Sequence, residues 1–171
     1  MKEVDHLSEQ ILKAKQSKSQ SINSWVRDKE RLSHDFIEDS INIKSKQINI
    51  GDIYTCEIGE NIGEEQCNSR PVLVVSKTFY NNHSSNVTVV PLSKTILTKV
   101  VIKNGKRRTS LKVRTHFKLK KTDFPFLDAD SAVKCEQIRS ISKSRLSVKK
   151  GTIDTDTLKK VQTRLKDLLD L

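Results

Sequence analysis

The sequence predicts a mainly β protein with helices, an α+β fold: a small, strongly curved sheet or barrel between two helical ends. Several short β-prone segments separated by turn residues lie between residues 48 and 142. Asn104-Gly105 stands between two β-prone arms, the strongest short-range hairpin signal. Apolar residues recur at helical spacing over residues 1–45 and again from about Asp154. At 171 residues the chain is long enough for one ordinary domain and an appendage.

In the first zone Val4, Leu7 and Ile11 recur helically, as do Ile22, Trp25, Val26, Leu32, Phe36 and Ile37. The polar stretch "KAKQSKSQS" between them reads as a linker or an exposed turn of helix. An exposed apolar stripe of that size is an aggregation liability. A helix is therefore predicted from about Ser21 to Phe36, with Trp25 buried against the sheet or a dimer mate. "INIGDIYTCEI" alternates as a strand, with Tyr54, Cys56 and Ile58 on one face. Val72 to Val75 are apolar on both faces, as in a strand covered on both sides. "NVTVVPLS", the two arms around Asn104-Gly105, "HFKL" and "SAVKCEQIRSI" read as further strands. "DFPFLD" at 123–128 reads as a core plug. Asp154 is a candidate N-cap for a final helix with Leu158, Val161, Leu165 and Leu168 on one stripe.

The formal net charge is +11, and it is localised. Residues 1–50 carry +1, residues 51–150 carry +10 and residues 151–171 carry none. A basic central domain attracts polyanions, nucleic acid first among them. The near-neutral first 48 residues are a poor electrostatic arm. Cys56, Cys67 and Cys135 have no metal-ligand spacing, and an odd count argues against a secreted disulfide framework. The start has no apolar core of a signal peptide, and no run approaches a membrane span. The expectation is a reduced, cytoplasmic protein that needs no metal or other cofactor.

"GEEQCNSRPVLVVS" sets Arg70 before Pro71 at the mouth of the buried strand. Proline pushes Arg70 into extended geometry, so the cation enters the strand. Arg70 is either a salt-bridge anchor to Glu64 or Glu65 or a charge held for an anion. Taken with "VTVVPLS", "RTHF" and "SAVKCEQIRSISKSRL" in that order, the segment from Asn49 to Leu171 resembles the MazF/PemK family of toxin endoribonucleases. The resemblance implies an SH3-like barrel with a C-terminal helix, a homodimer, and metal-independent cleavage of single-stranded RNA. It also implies a cognate antitoxin, and operator DNA bound through the antitoxin complex. Two domains are expected: a helical extension at 1–48 and a toxin domain at 49–171. The latter would hold an inserted basic hairpin at about 99–113 and a C-terminal helix at about 154–171.

Metal-free RNA cleavage by 2′-OH attack needs a base, a charge stabiliser and an acid for the departing 5′ oxygen. Arg70 suits the second task, since its planar fork binds two phosphoryl oxygens and stays charged. Ser93 follows the third strand, where the family carries threonine or serine; otherwise it is a strand-end turn residue. Glu65 and Glu136 are both candidates for the base. Lys134, read as sharing a strand face with Glu136, could bind phosphate or act as the acid. His116 has a suitable intrinsic pKa but reads as contacting RNA or packing. Gln66, Gln137 and Arg139 read as nucleotide readers or positioners. Residues 99–121 hold ten Lys/Arg and no acid. Lys103, Lys106, Arg107 and Arg108 there would either track an RNA backbone or protect a solvated edge. The alternative function is a non-catalytic nucleic-acid-binding or gyrase-inhibiting protein on the same barrel.

Overall fold

The structure, a computed structural model, describes residues 2–171, with side chains from residue 6. Helix α1 spans Lys2–Glu38 without interruption, so "KAKQSKSQS" is exposed helix and not a linker. No proline or glycine interrupts those 37 residues, and its polar, straight-chain residues are good helix formers. The predicted stripe divides. Leu32 is buried and Trp25 and Phe36 are half-buried, whereas Ile22, Val26 and Ile37 remain 44, 55 and 74 % exposed. The predicted Ser21–Phe36 helix lies within α1, and Trp25, expected to be buried, is half-buried in the single chain; only the face turned toward the sheet packs.

After a short helix α2 (Ser40–Ser45), the chain enters the sheet: β1 (Asp52–Glu57), β2 (Ser69–Val74) and β3 (Asn86–Ser93), joined as antiparallel neighbours. A short helix α3 (Thr78–Asn82), not foreseen from the sequence, bridges β2 and β3. The Asn104-Gly105 turn joins β4 (Thr98–Lys103) to β5 (Lys106–Leu111), both turn residues having positive φ (52° and 71°). This hairpin forms a sheet of its own. β6 (His116–Leu119), β7 (Ser131–Lys134), β8 (Arg139–Ser142) and β9 (Leu146–Thr152) complete the main sheet. Its path is β6-β7-β3-β2-β1-β9, with β8 also paired to β3. "SAVKCEQIRSI" is thus not one strand. A 3₁₀ turn at Cys135–Gln137 breaks it, so Lys134 and Glu136 do not alternate on a common strand as expected.

Alternation along β2 builds two cores. Val72 and Val74 join Tyr54, Cys56 and Ile58 on one face; Leu73 joins Ile53, Val90 and Val133 on the other. The second core takes in Phe124 and Leu127 of "DFPFLD" and is closed by α4 (Thr155–Leu169) through Val161 and Leu165. Asp154 caps α4, its carboxylate accepting from Thr157 N at 2.8 Å. Ile48 is fully buried in the first core. Buried Lys143 donates to the carbonyls of Lys44 and Lys46 at 2.7 and 2.8 Å. The N-terminal segment is therefore tied into the sheet and is not a loose appendage.

Candidate nucleic-acid site

The loop from β1 to β2 delivers Arg70. It turns through Gly59 and Asn68, both at positive φ (93° and 67°), and Asn68 N donates to Gly59 O at 2.8 Å. The half-buried Arg70 donates Nε to the carbonyl of Cys67 at 2.6 Å and Nη1 to Oε1 of Gln66. Among the described residues it has no acidic partner, so the proposed anchor to Glu64 or Glu65 is absent. Glu64 is exposed, and Glu65 instead accepts from Ile62 N at 3.3 Å. Burial pulls the Arg70 pKa below its usual value, partly offset by Cys67. Its second terminal nitrogen is left out of these bonds. The arrangement is a cation fixed on one edge and open on the other, as an anion site requires.

Gln66 is 9 % exposed, and its side chain holds Arg70, so it positions the arginine and does not face a base. Its backbone N donates to Oε1 of Gln137 at 3.2 Å, while Gln137 Nε2 donates to Glu64 O at 3.4 Å. Gln137 thereby ties the Arg70 loop to the 3₁₀ turn that carries Glu136. Glu136 accepts from Thr115 Oγ1 at 2.8 Å and from His116 Nε2 at 2.7 Å. Burial raises its pKa, but the hydrogen bonds from Thr115, the backbone and His116 outweigh it and hold the carboxyl below its usual value. His116 is 3 % exposed, with Nδ1 buried and unpartnered. Of the two readings, contact with RNA or packing, burial favours packing: it backs Glu136 from inside.

Lys134 stands across the β6–β7 ladder from His116. Ser93 ends β3 opposite Ala132, and extending the Val72–Pro91 register by two residues brings Arg70 across from Ser93. The Ser93 hydroxyl accepts from Thr95 N at 3.2 Å, a turn contact that leaves its own proton free to donate. Arg139 starts β8 opposite Val89 and is half-buried. Lys103, Lys106, Arg107 and Arg108 are all exposed on the separate hairpin. The structure thus gathers Arg70, Gln66, Gln137, Glu136 and His116 through contacts, with Ser93 and Lys134 on neighbouring strands. Glu65 lies on the loop's exposed outer side. Sequence reading missed Asn61, whose Nδ2 donates to Gln66 O at 2.7 Å; only a polar loop position signalled it. No helix among the described residues is long and apolar enough to cross a membrane.

The family description "PemK-like, MazF-like toxin of type II toxin-antitoxin system" matches residues 49–169. Endoribonuclease EndoA of Bacillus subtilis is 30 % identical over 121 residues, covering 71 % of this chain and 93 % of that protein. Endoribonuclease MazF of Staphylococcus saprophyticus is 28 % identical over 115 residues, 67 % of this chain and 85 % of that one. Among solved structures, MazF (Form-I) from Deinococcus radiodurans superposes with a TM-score of 0.54 at 20 % identity, over 74 % of this chain and 99 % of its own. An endoribonuclease in complex with its cognate antitoxin from a mycobacterial species superposes at 0.53 and 22 % identity, over 72 % and 96 %. At those identities the superpositions speak for the fold. The sequence matches, spanning both central cores and the Arg70 loop, carry the assignment: this chain belongs to the PemK-like, MazF-like toxins of type II toxin-antitoxin systems.

Proposed function

We propose that this chain is an endoribonuclease toxin that cuts single-stranded RNA without a metal ion. The observation that carries the reading is the Arg70 guanidinium, held by Gln66 and Cys67 and left without an acidic partner among the described residues. The 2′ oxygen attacks the adjacent phosphorus, the bond from phosphorus to the 5′ oxygen breaks, and the ends are a 2′,3′-cyclic phosphate and a 5′-OH. Arg70 neutralises charge growing on the phosphoryl oxygens, and the Ser93 hydroxyl donates to one of them. Glu136, fixed by Thr115 and His116, takes the 2′ proton; Lys134 supplies a proton to the departing oxygen. Of the two carboxylates first considered as base, Glu136 is favoured over Glu65 because two side chains hold it and Gln137 ties its turn to the Arg70 loop.

Gln137 and Arg139 position nucleotides, and the hairpin lysines and arginines follow the backbone. The curved sheet acts as an SH3-like barrel within a homodimer. The inhibitory partner is an antitoxin, as in the mycobacterial complex. Incubation with single-stranded RNA in EDTA, with the fragment ends mapped, tests the reading. Cleavage leaving cyclic phosphate is expected. Activity that vanishes in EDTA and returns with Mg²⁺ overturns it.

A further inference from the structure

Residues before 49 lie outside the family match, yet α1 reaches the site. Lys18 pairs with the carboxylate of Glu60 and donates to the carbonyl of Asn61. Asn61 in turn donates Nδ2 to Gln66 O at 2.7 Å and its backbone N to Cys67 Sγ at 3.3 Å. Gln66 and Cys67 are the two residues that hold Arg70. Lys18, Asn61, Gln66 and Arg70 thus form one continuous hydrogen-bonded path from the helix to the guanidinium.

A second anchor lies two turns along α1. The Trp25 indole covers Gly59 so closely that a Cβ there would stand 2.2 Å from Cε2. Arg145 lies 5.3 Å from the centre of the Trp25 ring and donates to Ile58 O at 2.9 Å. The entry to the Arg70 loop is gripped between α1 and Arg145. Packing of α1 is already served by Leu32 and Phe36, whereas the Lys18 contact buries little apolar surface and touches only the loop.

We propose that α1 is a positioning element for RNA cleavage, with Lys18 and Trp25 as positioning residues that fix the β1–β2 loop and so aim Arg70. The proposal rests on the phosphate-binding role given to Arg70. Lys18 reaches Arg70 through the loop, so its loss is expected to affect the chemical step more than binding. A helix covering the RNA path would do the opposite, and its release would accelerate cleavage.

The test compares full-length wild type, Lys18→Met, Lys18→Arg and Trp25→Ala. Misplacement of a catalytic group by about 1 Å costs up to about 10²-fold; Lys18→Met is expected to lower kcat about tenfold with KM within twofold. Lys18→Arg, which keeps charge and donors, restores most of kcat, and Trp25→Ala shows the same split as Lys18→Met. Hydrogen exchange of residues 61–67, measured without RNA, speeds up in Lys18→Met while Trp25 emission is unchanged. Wild-type kcat and exchange in Lys18→Met overturn the proposal, and so does a raised kcat. A wild-type protein that cuts no RNA removes the Arg70 reading itself; the exchange data then separate that failure from a failure of the helix–loop coupling.

Discussion

Replacing Arg70 by alanine separates catalysis from folding, because the structure gives the side chain two distinct duties. Toward the protein, it satisfies Cys67 O at 2.6 Å and the Oε1 of buried Gln66. Losing those donors costs about 1 kcal/mol for each acceptor that water does not reach. At this chain length, about 1 kcal/mol lowers the melting temperature by roughly 2–4 °C. Toward the substrate, removal of a preorganised charge donor costs on the order of 10²–10³ in rate. Arg70→Ala should therefore melt a few degrees early yet lose growth inhibition and nearly all cleavage. Arg70→Lys keeps the charge but has one ammonium to serve both acceptors and a phosphate, so its rate should fall between the two. The assay is single-turnover cleavage of a labelled single-stranded RNA in EDTA, with thermal melts on the same samples. An Arg70→Ala enzyme within threefold of wild type, at matched folding, refutes the assignment.

Ser93→Ala, which removes one donated hydrogen bond, should lower the rate by about tenfold (~1.4 kcal/mol); equality with Arg70→Ala in the same assay would show that it does more than this. Changing Lys103, Lys106, Arg107 and Arg108 together to serine should weaken RNA binding without moving the cut site, flattening the salt slope by about 0.7 per lost phosphate contact; an unchanged slope means a solvated edge. Glu136, held below its usual value near 4.5, should stay ionised down to that pH. Its folded-state pKa is depressed, so its stabilising bonds act fully above about pH 4.5 and fade as pH falls through the lower folded value. Melting of Glu136→Gln against wild type from pH 7 to 3 checks this, the gap closing only in acid. Iodoacetamide at pH 8 should add one group to the folded protein, at Cys67, and slow cleavage. Burial shields Cys56 and Cys135 and pushes their thiols up to about 12; more than one adduct before unfolding contradicts this.

Local rules made most strands and both helical ends legible, but not β9 (Leu146–Thr152), whose "LSVKKGT" carries few apolar residues. Asn104-Gly105 announced its hairpin through positive φ at both turn positions, and Asp154 announced α4 through its cap. Arg70-Pro71 pointed to the site because a fixed cation before a buried strand is costly unless held for a purpose. Tertiary contacts were less legible. Strand patterning alone could not show that Cys135–Gln137 folds as a 3₁₀ turn, which brings the Glu136 carboxylate to His116. The covered face of α1 is chosen by what the sheet presents. Gly59 accepts an indole and Glu60 accepts Lys18, while apolar Ile22 and Val26 on the same helix stay largely exposed.

The β4–β5 hairpin pairs only with itself, and its base is closed by Lys112 N donating to Leu97 O at 2.9 Å. Isolated two-stranded hairpins are marginally stable in water. This one therefore opens as a unit of its own, far below the free energy of global unfolding. Its residues contribute little to either core, so substitution there is nearly free of folding cost. Selection can rewrite the charge of residues 98–111 while the two cores stay as they are. The hairpin is thus a surface whose charge is set independently of the fold that carries it.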